Sequence, residues 1–168
     1  ILFSNGDDNI AIKSGSDREG RDLNKPSRNI YIHDCIFNNY TGLAIGSEMA
    51  GGIYHVYAEN CRAESRIKRG IYIKGNRDRG GEVAHIHIRN MEFLDSWKEM
   101  LAIDTEYDSW QYEHSPYYHD ISIENIRAKG PCEYGLLVLG QADKLLNNIC
   151  LENIRIEVAE KEDRKSVV

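Results

Sequence analysis

The sequence predicts an all-β chain folded as a parallel β-helix of about five coils. Three observations carry this. One phrase recurs five times: "RNIYIHDCIF" (28–37), "YHVYAENCRA" (54–63), "AHIHIRNMEF" (84–93), "HDISIENIRA" (119–128) and "NNICLENIRI" (147–156). A shorter phrase is interleaved with it: "DNIAIKSG" (8–15), "TGLAIGSE" (41–48), "RGIYIKGN" (69–76), "EMLAIDTE" (99–106) and "YGLLVLGQ" (134–141). Both alternate apolar and polar residues with the period of a strand. The spacing, roughly 26–35 residues, suits one supersecondary unit repeated with insertions. Coils this thin cannot bury their own apolar face, so neighbours must stack to bury a continuous one.

Taken in order, the short phrases align Ile12, Ile45, Ile73, Ile103 and Val138 as one inward column. The long phrases align Ile32, Ile88, Ile123 and Leu151 as another, with Tyr57 or Val56 in the less regular second coil. Asp34, Asn60, Asn90, Asn125 and Asn153 then fall in turns, where their side chains tolerate left-handed backbone and bond neighbouring amides. Cys35 and Cys61 occupy equivalent places beside Met91, Ile126 and Ile154, as stacked core thiols rather than a disulfide. The stretch 16–28 is a polar insertion, 104–120 another rich in Tyr, Trp and acids, and helical periodicity is confined to short runs such as 95–101. The solenoid is expected over 1–158, with 159–168 as a charged segment that is a solvated end or the start of a further coil. An antiparallel sandwich would explain the strands but not the matched pairs of phrases.

Composition narrows the function. Net charge −6 argues against nucleic acid or an anionic membrane as partner, and no apolar run is long enough to span a bilayer. The four cysteines show no CxxC spacing, which excludes the common zinc patterns. His85 and His87 sit on one strand face without an evident third ligand, so no metal is expected. The chain opens inside a strand with neither a start methionine nor a signal-peptide pattern, and is expected to be the C-terminal part of a longer domain.

"SNGDDNIAIKSG" (4–15) holds the strongest chemical signal. Adjacent acids repel each other, and a bland turn seldom needs both. Aligned by coil, Asp7 falls in line with Tyr40, and Asp8 with Thr41 and Arg69. Ala11, Ala44, Tyr72 and Ala102 share an outward column, and Lys13, Gly46, Lys74 and Asp104 the next. The acids, Tyr40, Tyr72 and Lys74 therefore converge on one face, with Ala44 and Gly46 leaving room for a shallow cleft. Acids beside a cation and an aromatic ring suit a long anionic sugar chain. Arg77 and Arg79 either clamp carboxylates or pair with Asp78 and Glu82.

"NGDDNIAIKSG", "GLAIGSEMAGG" and "GIYIKGNRDRGG", in this order, resemble glycoside hydrolase family 28, the polygalacturonases, over most of the chain. The resemblance implies a right-handed parallel β-helix and inverting hydrolysis of pectic galacturonan, without a cofactor. It makes Asp7 the general acid and Asp8 a partner in activating water. Lys74 becomes the cation for a substrate carboxylate, and Tyr107 a residue lining the substrate site. A second base is implied in an Asn-Thr-Asp motif one coil earlier. Tyr40 stands where the family histidine would be and Tyr72 where the arginine of Arg-Ile-Lys would be; the letters Arg66–Lys68 lie too early to be that motif. The variant "KSGSDREGRDLNKPS" followed by "IGSEMAGG" is most like bacterial, exo-acting members. A monomer acting outside the cell or in the periplasm on pectic polysaccharide or oligogalacturonide is what this implies. The residues alone leave open a non-catalytic carbohydrate-binding β-helix and a lyase, though no calcium-type acid cluster stands out for the latter.

Overall fold

The computed structural model describes residues 1–110 and 113–158. In chain order the elements are β1 (Leu2–Asn5), β2 (Ile10–Ile12), α1 (Asp17–Leu23), β3 (Ser27–His33), β4 (Ile36–Asn39), β5 (Thr41–Gly46), β6 (Ile53–Ala63), β7 (Arg69–Lys74), β8 (Glu82–Phe93), β9 (Glu99–Asp104), β10 (Tyr117–Gly130), β11 (Tyr134–Leu139) and β12 (Asn147–Val158). Every pairing is parallel and joins equivalent strands of successive coils. One sheet runs β1-β4-β6-β8-β10-β12, with β3 also on β6; the other runs β2-β5-β7-β9-β11. This is a parallel β-solenoid of about five turns. The charged segment 159–168 lies outside the described residues.

The interior follows the predicted columns. Ile12, Ile45, Ile73, Ile103 and Val138 are Cα partners in sequence. The first four are buried, but Val138 is 44% exposed. It lies on the edge strand β11, which has a neighbour on one side only. In the second column Ile32, Ile88, Ile123 and Leu151 align, but Ala58, not Tyr57 or Val56, takes the second-coil place. Val56 belongs to the neighbouring row with Ile30, Ile86, Ile121 and Ile149. Tyr57 points out and stacks on His87, ring centroids 5.1 Å apart. A third row alternates bulk, Phe37, Ala63, Phe93, Ala128, Ile156, so that each ring fills the space a neighbouring alanine leaves. Cys35 and Cys61 are free and buried, stacked in the same row as Met91.

Asp34, Asn60, Asn90, Asn125 and Asn153 all have φ between 52° and 55°. Three of the asparagines donate side-chain amides to the preceding coil: Asn90 to Asn60, Asn125 to Asn90 and Asn153 to Asn125, at 3.0–3.2 Å. A second left-handed column, unforeseen in the sequence, lies five residues earlier at Asn29, His55, His85, Asp120 and Asn148. The long strands therefore bend twice per coil. His55 and His85 stack in that column at 4.8 Å. His85 and His87 thus join different neighbours, and among the described residues no group of three His, Cys, Asp or Glu is placed to hold a metal. The polar insertion at 16–28 contains α1, with acids in its first turn and Asn24 closing it in left-handed conformation. The run 95–101 is not helical: it is turn followed by the start of β9.

Two outcomes test this packing. Ile73→Ala should cost about 2–5 kcal/mol in denaturant melts, whereas Val138→Ala on the edge should cost under about 1 kcal/mol. His119 lies between Glu82 (Nε2–Oε1 2.6 Å) and Asp120 (Nδ1–Oδ2 2.7 Å). Partial burial opposes the charged ring, but the two carboxylates outweigh it and raise the pKa. The stabilisation from the charged ring is full below the ordinary value of about 6.5 and is lost as pH rises through the raised folded value. His119→Gln should therefore lower the melting temperature more at pH 6 than at pH 9.

Candidate active site

The turn between β1 and β2 carries the acid pair. Asn9 pins this turn to β5: its backbone N–H and its Nδ2 both donate to the Thr41 carbonyl, at 2.7 and 2.9 Å. Asn5 Nδ2 reaches the carbonyls of Asp8 and Asn9, both at 3.4 Å. The Asp8 N–H donates to Asp7 Oδ1 at 2.9 Å. The two acids then part company. Asp7 is exposed, whereas the Asp8 side chain is only 11% exposed and pairs with Lys74, Oδ2 to Nζ 3.1 Å. Residues 66 apart in sequence meet because the coils between them are stacked.

Lys74 stands at the end of β7, two residues beyond Tyr72 and on the same face. Its ammonium lies 5.2 Å from the ring centroids of both Tyr72 and Tyr107. Those rings meet edge to face, 6.0 Å apart. Tyr72 is 5% exposed. Its hydroxyl donates to Asp104 Oδ2 at 3.0 Å, and the Arg69 guanidinium lies 4.5 Å from its ring. Burial first, then the Asp104 charge, pushes the Tyr72 phenol well above its ordinary range. Arg69 is itself paired with Glu99. Small neighbours make room for the ring: Tyr72 is in register with Ala44 on one side and Ala102 on the other. Gly46 precedes Lys74 in the next column, and an added Cβ would lie 1.9 Å from the Lys74 carbonyl oxygen, at a φ of +92°.

The structure thus joins Asp8, Lys74, Tyr72 and Tyr107, with Asp7 beside them. It corrects one expectation and adds partners for three other residues. Ala44, Tyr72 and Ala102 share an outward column but are buried, so Tyr72 offers almost no ring surface to a sugar and instead supports Lys74. Tyr40 accepts from Lys68 Nζ at 2.8 Å, with the ammonium 4.3 Å from its ring. Arg77 and Arg79 do not pair with Asp78 and Glu82 as the sequence allowed. Arg77 meets Asp143 at 3.2 Å and Glu106 at 3.8 Å, and Arg79 meets Ser47 at 2.5 Å and Asp17 at 3.6 Å. Glu82 goes to His119 and Tyr54.

Asp104 and Arg69 had no role in the sequence reading, although the column pairing Lys74 with Asp104 was legible. The two insertions dock on the loop after β7, where Arg21 donates to the carbonyls of Asp78 and Arg79, and the Trp110 N–H to the Asp78 carboxylate. Together they border a cavity of about 460 Å³ lined by Asp17, Arg21, Asn76, Arg79 and Trp110. Because Gly46 has no room for a side chain, Gly46→Ala should destabilise by about 2 kcal/mol or more in urea melts.

Known proteins are similar to this chain. A probable polygalacturonase of Vitis vinifera is 31% identical over 167 residues, covering 93% of this chain and 33% of its own. An endo-polygalacturonase of Pectobacterium carotovorum subsp. carotovorum is 28% identical, covering 92% of this chain and 36% of its own. The crystal structure of a hyperthermoactive exopolygalacturonase from Thermotoga maritima superposes with a TM-score of 0.86 at 29% identity, over 94% of this chain and 36% of that one. The chain therefore spans about a third of the length of these relatives. The model for glycosyl hydrolases family 28 matches residues 2–167, and the chain belongs to that family.

Proposed function

We propose that the protein hydrolyses α-linked galacturonate in pectic polysaccharide or oligosaccharide, with inversion at the anomeric carbon. The observation that carries this is the acid pair held on the solenoid with its two members in different surroundings. Asp7 is exposed, and Asp8 is sheltered and tied to Lys74. In this reading the accessible Asp7 carboxyl serves the leaving glycosidic oxygen as general acid, and the sheltered Asp8, tied to Lys74, helps activate the attacking water. The Lys74 ammonium has three donors, so it can hold Asp8 and a substrate carboxylate together. Tyr107, half-buried beside it, offers an aromatic edge to the sugar. The remaining acid of an inverting set is expected one coil before Asp7, as in the family.

The finer reading is attack from a chain end. It is supported by the likeness to the Thermotoga maritima exopolygalacturonase and by the two insertions, which both dock on the loop that follows Lys74. Action as a monomer, outside the cell or in the periplasm where such a polymer is found, completes the proposal. The test uses the intact protein and polygalacturonate. Asp7→Asn should lower the release of reducing ends by a factor of about 10²–10⁴ with the melting temperature unchanged. Retained turnover would overturn the assignment. Binding of polygalacturonate by the unmodified protein with no release across pectic substrates would instead identify a carbohydrate-binding solenoid.

A further inference from the structure

The register of the solenoid gives Lys74 a nearer acid than the one it uses. Lys74 and Asp104 are Cα partners on adjacent strands, β7 and β9. Partners in adjacent parallel strands lie about 4.8 Å apart, within easy reach of a lysine. Yet the Lys74 ammonium goes the other way and meets Asp8, two coils off. Asp104 explains the choice, since both of its carboxylate oxygens are engaged. Oδ2 accepts the Tyr72 hydroxyl at 3.0 Å and Oδ1 accepts the Glu106 N–H at 2.9 Å. The residue is 8% exposed, so water does little to satisfy it.

We infer that Tyr72 and Asp104 are positioning residues, in which the tyrosine hydroxyl caps the aspartate and so leaves Lys74 free to be held on Asp8. The inference rests on the reading of Asp8 and Lys74 given above. Physically it is a competition of two carboxylates for one ammonium. A hydrogen bond from a neutral phenol satisfies Asp104 in place of the cation. The Tyr72 ring, fixed by that bond and backed by Arg69, presents its face toward Lys74 and holds the ammonium between itself and Tyr107. Burial of the phenol, with the Asp104 charge beside it, keeps it protonated as a donor.

The competition makes an unusual mutant pattern. Tyr72→Phe keeps the ring but uncaps Asp104, so Lys74 should swing to it and kcat/KM on polygalacturonate should fall about tenfold or more. Asp104→Asn removes the rival charge and should lower kcat/KM by less, about threefold. The double variant should recover from the Tyr72→Phe level to that of Asp104→Asn, a rescue that a purely structural role would not give. A double variant as poor as Tyr72→Phe, or Tyr72→Phe at full activity, overturns the inference. Asp8→Asn separates this from the larger reading: if it retains turnover, the assignment of the site fails; if it is inactive while Tyr72→Phe is unaffected, only the positioning role fails. A crystal structure of the Tyr72→Phe protein gives a second readout. Lys74 Nζ against Asp104 supports the inference, and Lys74 Nζ still on Asp8 overturns it.

Discussion

Parallel, in-register pairing of each strand with its equivalent in the next coil is the constraint from which the rest of this structure follows. It puts like residues about 4.8 Å apart in rows that run along the solenoid. A row of isoleucines then becomes a continuous core, and a row of asparagines becomes a chain of amide hydrogen bonds. The same constraint penalises errors heavily. A shift of one residue would turn Ile45, Ile73 and Ile103 out and bring Lys74 and Asp104 in. The left-handed turns at Asn60, Asn90, Asn125 and Asn153 resist such a shift, because these side chains accept that backbone where β-branched neighbours would not.

Stacking also turns distance along the chain into proximity. Asp8 and Lys74 are brought together across the coils between them, and Tyr72 and Asp104 by adjacent strands. The result is a run of alternating charged and aromatic side chains, largely buried: Asp8, Lys74, Tyr72 with Tyr107, Asp104, and then Arg69 with Glu99. In a partly dehydrated setting each of these charges needs a partner, and each has one. Which partner it takes is what gives the site its character. The ammonium goes to Asp8, the sheltered neighbour of the exposed Asp7, and the phenol keeps the deeper acid occupied.

Much of this was legible in the sequence. Period-two alternation in two interleaved phrases identified the coils, and alignment on the inward isoleucines predicted the register of the β2-β5-β7-β9-β11 sheet residue by residue. The convergence of Asp8 and Lys74 on one face was anticipated, though not that they form an ion pair. The second coil was misread at one place because Ala58 is small and carries little apolar signal beside Val56 and Tyr57. The second left-handed column was missed because His55 and His85 are not residues that announce such a turn. Helix α1 was legible only as part of a polar insertion, because seven residues, mostly polar, show no apolar stripe.

The sequence by itself determined the strands, their order, the inward rows and the candidate acids, because each depends on a local period or on the preferences of single residues. Only the tertiary structure decided the partners of the long polar side chains. Tyr40 and Tyr72 are both tyrosines beside basic residues, yet one accepts from Lys68 and the other donates to Asp104. Lys74 passes over the acid in register with it for one two coils away. Such choices are settled by which competing donors and acceptors are already taken in three dimensions, and the linear pattern of the chain carries no record of that competition.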